Sequence, residues 1–224
     1  MPPRIQIHHF SDVLCVWAYI AQRRMDELRQ EFGDRVDVDH RLVDVFGFAR
    51  VKLEERWKDK GGLAGYAGHV REVVARFDHV ALHEDAWARV APSSSWPAHL
   101  VLAAIRSIEA AGMARAGTFV DAAWLVREAF FRDARDISQD RVVFDIVEKA
   151  GVDQASIREL LATGAAHAEL ARDYDKARAF DVRISPSIVM NEGRQHLNGN
   201  VGYRVIAANL KELLERSDDQ LSWC

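Results

Sequence analysis

Cys15 is the residue of this sequence whose type and position best suit covalent chemistry. It follows a short apolar segment and precedes residues with helical spacing, so it falls at the start of a predicted helix. The free N–H groups and the dipole at a helix N-terminus favour a thiolate, which is the nucleophilic form of cysteine. The position therefore predicts a nucleophile, and the alternative interpretation is a small, buried apolar residue.

The chain of 224 residues contains two cysteines, Cys15 and Cys224, near its opposite ends. This number excludes a disulfide framework and a zinc site built from cysteines, and it fits a reducing compartment. We therefore expect a cytoplasmic protein whose thiol chemistry depends on Cys15 alone. Cys224 is interpreted as a free thiol of the C-terminal tail.

Pro186 is the second residue that indicates a site. It directly precedes an apolar strand predicted over 187–190. A cis bond between Ser185 and Pro186, entering that strand at the edge of an active site, would turn the backbone N–H and C=O of Ser185 outward, toward a substrate. The alternative is an ordinary trans proline that opens a strand.

The composition is that of an ordinary globular protein, with 49% hydrophobic and 29% charged residues. Its formal net charge of -4 argues against a nucleic-acid partner, because proteins that bind nucleic acids normally carry a basic face. The longest apolar runs are far shorter than the ~20 residues of a membrane span, and the first residues lack the apolar stretch of a secretory signal. We therefore expect neither nucleic acid nor membrane among the partners.

Hydrophobic periodicity predicts two α/β pieces, one at each end of the chain. The first is a β-α-β unit with elements at 5–10, 16–32 and 36–42. The second is a β-β-α unit with strands at 187–190 and 194–197 and a helix over 201–216. Each piece is too small to form a covered sheet alone, so together they predict one four-stranded mixed sheet.

The residues between these pieces, from about 51 to 180, show few strand patterns and several helical ones. The predicted fold class is therefore α/β, with a mixed sheet in the order β-α-β … β-β-α and a large helical insertion. The predicted domains are a discontinuous α/β domain at 1–55 plus 180–224 and an insertion domain at 56–179. The helices rich in arginine and glutamate are interpreted as having solvated charged faces.

The segment Asp12-Val13-Leu14-Cys15-Val16-Trp17-Ala18-Tyr19-Ile20, with Ser185-Pro186-Ser187 before a hairpin and a last helix, resembles the DsbA-like thioredoxin-fold superfamily. The resemblance covers nearly the whole chain and implies a thioredoxin-like fold. The segment is similar to that of cytosolic FrnE-type oxidoreductases, which typically carry Cys-Pro-Trp-Cys-Tyr here. It is also similar to that of 2-hydroxychromene-2-carboxylate isomerases and kappa-class glutathione transferases, which carry Ser-Pro-aromatic-Ser-Tyr.

Two departures from these motifs bear on the activity. Ala18 stands where the oxidoreductases have their second cysteine, so the motif cannot store electrons as an internal disulfide. Cys15 stands where the isomerases have serine, so a glutathione thiol can meet a thiolate or form a mixed disulfide there. The resemblance thus implies a DsbA-type thiol oxidoreductase, or a glutathione-dependent isomerase or transferase, with one active-site cysteine. The alternative is a non-catalytic protein that binds thiols or peptides.

The resemblance also implies which residues bind substrate. Ser185 and Pro186 would hold a small thiol-bearing peptide, and glutathione is the expected cosubstrate. Trp17 would line a pocket for an apolar or peptide substrate. Asn200, at the start of the last helix, would offer its amide to a carboxylate, whereas Val201 supplies no acidic group for an amine. A homodimer is implied by the resemblance alone.

Four histidines are also weighed as site candidates. His79 and His83 have the i, i+4 spacing of two metal ligands on a helix, but no third ligand is suitably spaced, so no metal site is expected. His8 and His9 lie on the first strand, where alternation turns one of them inward and the other outward. Either ring is within range of Cys15 in such a fold, although packing or solvation is the commoner role.

Two loops are further candidates for the substrate cleft. Trp96 lies in a serine-rich loop that leads into the insertion, and Phe46-Gly47-Phe48 follows the second strand. Ligand sites favour the carboxyl ends of parallel strands, which places the second loop near the first helix. The alternative for these aromatic residues is packing in the core.

Overall fold

The structure is a computed structural model that describes residues 4–215. Its strands are β1 (Ile5–Ser11), β2 (Val36–Leu42), β3 (Ser187–Met190) and β4 (Gln195–Asn198). Its helices are α1 (Val16–Phe32), α2 (Ala49–Arg56), α3 (Gly62–Val74), α4 (Trp96–Ala110), α5 (Thr118–Phe131), α6 (Asp140–Val147), α7 (Gln154–Ala162), α8 (Ala165–Ala179) and α9 (Tyr203–Glu215). Within this part of the chain, no helix is both long enough and apolar enough to cross a membrane.

The four strands form one mixed sheet in the order β2-β1-β3-β4. β1 and β2 are parallel, as a β-α-β unit with a helical crossover requires, and β3 is antiparallel to both β1 and β4. This sheet confirms the predicted thioredoxin-like α/β fold class. Because β1 is an interior strand, the chain enters α1 from the middle of the sheet and not from its edge.

Helices cover both faces of the sheet. On one face Ile7 of β1 belongs to a cluster with Leu28 of α1 and Leu210 of α9. On the other face Phe10 of β1 belongs to a cluster with Ala177 of α8. Successive residues of β1 therefore alternate between two apolar layers, and neither layer is open to solvent.

Both histidines of β1 are buried as a result. His8 is 9% exposed, and its Nδ1 lies 2.8 Å from Asp39 of β2. His9 is 4% exposed, and its Nδ1 lies 3.2 Å from Nδ1 of His40. The prediction that one of the two points outward was wrong, because helices cover the sheet on both sides.

The helices between β2 and β3 share an apolar core that extends to the start of α1. Ile105 of α4 and Val126 of α5 are 0% exposed and belong to the same buried cluster as Leu14 and Cys15. The beginning of α1 is therefore packed against the helical insertion, whereas its later turns pack against the sheet. The predicted division into domains at 1–55 plus 180–224 and at 56–179 stays a prediction.

A buried carboxylate joins the edge strand β2 to the helices beside it. Asp173 of α8 is 0% exposed and lies 3.0 Å from Arg41 of β2 and 2.8 Å from Arg106 of α4. The N–H of Leu42 also donates to it, at 3.0 Å. Two guanidinium groups and a backbone donor offset the cost of burying this charge. The interpretation of the charged helices as solvated was therefore wrong at Asp173 and Arg106, which face inward.

We expect Asp173→Asn to lower the free energy of unfolding by about 3 kcal/mol, because two enclosed guanidinium groups lose their shared counter-charge. Urea titration followed by circular dichroism measures the change. Asp175→Asn is the matched control, since Asp175 lies on the same helix and pairs with Arg178 at the surface. We expect this control to change stability by less than about 0.5 kcal/mol. An equal loss in both variants would contradict the role assigned to Asp173.

Candidate functional site

Cys15 lies at the N-terminus of α1, directly after the turn that follows β1. Its N–H donates to the carbonyl oxygen of Asp12 at 3.1 Å, which closes the turn. Its Sγ donates to the carbonyl oxygen of Ser185 at 3.0 Å. The fold therefore brings together two predicted site residues that are 170 positions apart in the sequence.

The peptide bond between Ser185 and Pro186 is cis. Oγ of Ser185 accepts the N–H of Asp12 at 2.9 Å, so the same residue contacts both ends of the Cys15 turn. The carbonyl oxygen of Pro186 accepts the N–H of Gly199 at 2.8 Å, which joins this loop to the one that leaves β4. Ser185 thus holds the turn with its side chain and holds the thiol with its carbonyl group.

Asp12 holds the loops of this site together. Its carboxylate is fully buried, and Oδ1 accepts the N–H of Leu14 at 2.9 Å. Oδ2 accepts the N–H groups of Val45 and Phe46 at 3.1 and 2.8 Å. It also accepts the hydroxyl of Ser95 at 3.0 Å. These donors come from the α1 turn, the loop after β2 and the start of α4, and they replace the water that burial removes.

The sulfur of Cys15 is enclosed, since only 5% of the residue is exposed. Burial raises the pKa of the thiol, and the charge of Asp12 raises it further. The contact with Ser185 and the backbone N–H groups of Ala18 and Trp17 lower the pKa, but burial outweighs them. The prediction that the helix N-terminus yields a thiolate was therefore wrong for this conformation. The thiol is neutral and acts as a hydrogen-bond donor.

Two neutral groups with hydrogen-bonding atoms stand beside this turn. Burial lowers the pKa of His99, whose Nε2 lies 3.6 Å from Oδ1 of Asp12 and whose Nδ1 lies 3.3 Å from the hydroxyl of Tyr174. Burial raises the pKa of Tyr66, and the charge of Asp12, together with that of Cys15 once it is ionised, raises it further. The imidazole and the phenol can therefore donate hydrogen bonds at neutral pH without adding charge.

Exposed apolar side chains stand around the Cys15 turn. Phe48, Trp96 and Ile184 are 65%, 43% and 49% exposed, and each lies within two residues of a residue hydrogen-bonded to Asp12. We call these three residues the apolar rim. Apolar surface on loops that meet at one point is typical of a binding site. Phe46, by contrast, is 7% exposed and packs in the core, which is the alternative interpretation for this loop.

Trp17 and Asn200 are not part of these contacts. Trp17 is partly buried, and its ring packs edge-on against Phe77 with 6.3 Å between centroids. Asn200 is exposed in the loop between β4 and α9. Its predicted place at a helix N-terminus was wrong, because α9 begins only at Tyr203, after a tight turn at Gly199 with a φ of 75°. The binding roles of both residues stay predictions.

The histidines weighed as metal ligands do not lie on a helix. His79 and His83 belong to the connection between α3 and α4, and the ring of His79 bonds to the carbonyl oxygen of Ile20 at 3.0 Å. Among residues 4–215, no three His, Cys, Asp or Glu side chains are grouped as a metal ion would require. Cys224, predicted to be a free tail thiol, lies outside the described residues.

Three residues of the site, Asp12, Ser95 and His99, were not predicted. A signal for Asp12 was present, because aspartate between a strand and a helix often accepts the N–H two residues later. Ser95 precedes Trp96-Pro97, and serine before a proline in the first turn is typical of a helix start. His99 carried a weaker signal, since it lies on the apolar face of α4 with Leu102.

A family model described as a DSBA-like thioredoxin domain matches residues 6–211 of the chain. No curated protein matches the sequence. Among solved structures, a probable DsbA oxidoreductase from Streptomyces coelicolor aligns with 98% of this chain and 94% of its own length, with 20% sequence identity and a TM-score of 0.74. At this identity the structural likeness shows a shared fold.

Two further solved structures have the same fold but are named for different activities. The cytosolic disulfide reductase DsbM from Pseudomonas aeruginosa, solved with GSH, aligns with 92% of this chain and 99% of its own, with 14% identity and a TM-score of 0.64. A 2-hydroxychromene-2-carboxylate isomerase aligns with 93% of this chain and 95% of its own, also with 14% identity and a TM-score of 0.64. The fold alone therefore leaves both kinds of chemistry open.

We expect Asp12→Asn to lower the free energy of unfolding by about 2–4 kcal/mol. Asparagine keeps one acceptor oxygen but turns an NH₂ group toward backbone N–H donors, which leaves buried groups unpaired. Urea titration measures the loss, with Asp44→Asn as the control because Asp44 is exposed in the loop after β2. If Asp12→Asn were no more destabilising than the control, the carboxylate would not hold these loops together.

The raised pKa of Cys15 predicts a stability that falls in alkaline solution. The unfolded chain releases the thiol proton near about pH 8.5, whereas the folded chain keeps it to higher pH. The free energy of unfolding should therefore decrease above about pH 8.5, by at most about 1.4 kcal/mol per pH unit, and be unaffected by this group at lower pH. Cys15→Ser should remove this decrease in urea titrations between pH 7 and 10. Parallel curves for the two proteins would contradict the enclosed thiol.

Proposed function

The chain belongs to the DSBA-like thioredoxin domain family, and we propose that it is a thiol-dependent enzyme of this family whose one active-site cysteine is Cys15. The observation that carries the proposal is the 3.0 Å contact between Sγ of Cys15 and the carbonyl oxygen of Ser185, beside the cis bond to Pro186. This contact supports the proposal because it puts a thiol at a helix N-terminus next to backbone groups that a small peptide can pair with.

Ala18 determines which reactions are open to such an enzyme. It occupies the position of a second cysteine in the first turn of α1, and it is 2% exposed. Cys15 is the one free cysteine among residues 4–215. The motif therefore provides no partner for an internal disulfide, and exchange has to pass through a mixed disulfide with a second molecule.

Monothiol disulfide exchange is the main reaction that we propose. The Cys15 thiolate attacks one sulfur of a substrate disulfide, forms a mixed disulfide with it and releases the other sulfur as a thiolate. A second thiol, as its thiolate, then attacks the substrate sulfur, which releases Cys15 and a new disulfide. Each step exchanges one S–S bond for another, so two thiols of the cosubstrate supply all the electrons when a substrate is fully reduced.

Glutathione is the cosubstrate that we propose. The DsbM reductase, which shares this fold, was solved with GSH. In this chain Ser185 lies beside the sulfur, and the exposed Asn200 follows Gly199, whose N–H donates to Pro186. These residues suit a short peptide that carries a carboxylate. Reliance on a thiol pool fits the cytoplasm, the location that we propose, where glutathione keeps thiols reduced.

The second substrate that we propose is apolar or a peptide. The apolar rim of Phe48, Trp96 and Ile184 offers exposed surface for it. Because Cys15 is only 5% exposed, binding has to move part of the rim or the Ser185 loop away from the sulfur. Assembly of the chain as a homodimer stays a prediction from the resemblance.

A second candidate function, glutathione-dependent isomerisation or transfer, is favoured by the neutral state of Cys15. An enclosed thiol with a raised pKa that donates a hydrogen bond resembles the serine hydroxyl found in the isomerases. In this role Cys15 would donate a hydrogen bond to a glutathione thiolate and would form no bond to sulfur itself. The backbone N–H groups at the start of α1 would share in stabilising that anion.

Two substitutions of Cys15 separate these functions. Cys15→Ser keeps a hydrogen-bond donor but cannot form a mixed disulfide, and Cys15→Ala removes both properties. For monothiol exchange we expect the unmodified protein to reduce the mixed disulfide of glutathione and 2-mercaptoethanol at the expense of glutathione. Both variants should lose this activity completely, because the bond-forming atom is absent. Coupling to NADPH oxidation through glutathione reductase measures the rate.

The second candidate gives a different pattern. Conjugation of glutathione to a chlorodinitrobenzene would be retained by Cys15→Ser and lost by Cys15→Ala. Mass spectrometry of the protein treated with glutathione disulfide detects the mixed disulfide that the first function requires. Binding of glutathione in a calorimeter without turnover or a mixed disulfide would contradict both functions and favour the non-catalytic alternative.

A further inference from the structure

Arg127 of α5 is a buried cation with neutral partners. It is 3% exposed, its Nη2 donates to Oγ of Ser11 at 2.8 Å, and its Nη1 donates to Oε1 of Gln22 at 3.2 Å. Its Nε is buried without a hydrogen-bond partner, and no carboxylate of residues 4–215 forms an ion pair with it. A buried charge without a counter-charge is costly, so a role beyond packing is expected for this side chain.

The guanidinium keeps its charge in this setting. Burial lowers the pKa of Arg127 to about 10, which still leaves it protonated at neutral pH. The rings that face it from the sheet are neutral. Burial lowers the pKa of His9, and burial lowers the pKa of His40 to about 3, with the charge of Arg127 acting in the same direction on both. The positive charge here therefore belongs to Arg127 and not to a histidine.

Both partners of Arg127 lie on the segment that carries Cys15. Ser11 is the last residue of β1, four positions before Cys15, and Gln22 lies on α1, seven positions after it. Seven residues of helix span about 10 Å, so the guanidinium lies alongside the first two turns of α1. Asp12, and Cys15 once it is ionised, are the acidic groups whose charges raise the pKa of Arg127 against the effect of burial.

Three other titratable groups around Cys15 cannot stabilise an anion by charge. Asp12, from the same turn, is acidic and raises the pKa of the thiol. Tyr66 of α3 and His99 of α4 are neutral at physiological pH, as the directions of their pKa shifts require. Lys52 of α2 is a second cation, but it donates to the carbonyl oxygen of Val45 and its charge interacts with that of Asp12.

We propose that Arg127 is a positioning residue for the chemistry of Cys15: its guanidinium supplies the charge that offsets a buried thiolate, and its two hydrogen bonds fix the strand–helix junction that presents the sulfur. The proposal rests on the proposed function, because it assumes that Cys15 reacts as a thiolate. When the thiol ionises, the anion forms in a region of low dielectric, where the charge of Arg127 acts more strongly than it would in water.

Alkylation of Cys15 by iodoacetamide as a function of pH tests this role. Peptide mass spectrometry separates Cys15 from Cys224, and the midpoint of the rate profile reports the ionisation of each thiol. For Arg127→Met we expect a midpoint about one pH unit higher and alkylation about tenfold slower at pH 7, with the same plateau rate at high pH. Arg127→Lys keeps the charge and should restore most of the rate.

Gln22→Glu provides a second variant that keeps Arg127 in place. Its carboxylate would pair with Nη1 of Arg127, offset the charge and raise the Cys15 midpoint as well. Arg23→Met is the matched control, because Arg23 is the neighbouring residue of α1 but is exposed, and it should leave the midpoint unchanged. If Arg127→Met does not fold, Gln22→Glu decides the question alone.

An unshifted Cys15 midpoint in folded Arg127→Met or in Gln22→Glu would overturn the proposal. So would an equal shift in Arg127→Lys and Arg127→Met, which would indicate a role of shape and not of charge. Alkylation requires no turnover, so this result is independent of the enzyme assays. If the enzyme assays show no activity but Arg127→Met still raises the midpoint of Cys15 alkylation, the proposed function is contradicted. The effect of the Arg127 charge on the thiol is then still supported.

Discussion

The carboxylate of Asp12 is buried at the end of an interior strand, and the geometry around Cys15 depends on how that carboxylate is satisfied. Its donors are backbone N–H groups of the α1 turn and of the loop after β2, and a hydroxyl at the start of α4. Its own N–H donates to Ser185, which in turn accepts the thiol of Cys15. Asp12 thus joins four separate segments of the chain, three through its carboxylate and the Ser185 loop through its backbone N–H.

The interior carries few charges, and each is arranged so that its burial is tolerable. Asp173 has two guanidinium partners, Asp12 has hydrogen-bond donors, and Arg127 has neutral oxygens and two neutral imidazole rings nearby. The negative charge of Asp12 and the positive charge of Arg127 therefore lie close to the β1–α1 junction without forming a direct ion pair. Both charges therefore act on any further anion that forms there, such as the thiolate of Cys15 when it reacts.

The single cysteine restricts the chemistry more than the fold does. The family fold is shared by reductases and isomerases, and the helix N-terminus beside a cis-proline loop suits both. With Ala18 in place of a second thiol, electrons cannot be stored within the motif, so a second molecule has to supply the resolving thiol. Because the thiol of Cys15 is enclosed and neutral, its ionisation has to be coupled to substrate binding.

The sequence by itself determined the elements, because periodicity and caps are local properties. It predicted β2 and β3 at their observed bounds, the mixed sheet and, through a motif resemblance, a shared site for Cys15 and the loop of Pro186. Only the tertiary structure decided that the thiol is enclosed, that Asp12 binds the loops around it and that Arg127 bonds to Ser11 and Gln22 on either side of it. Burial and charge at one point depend on segments more than a hundred residues apart, and no local pattern records which of them meet.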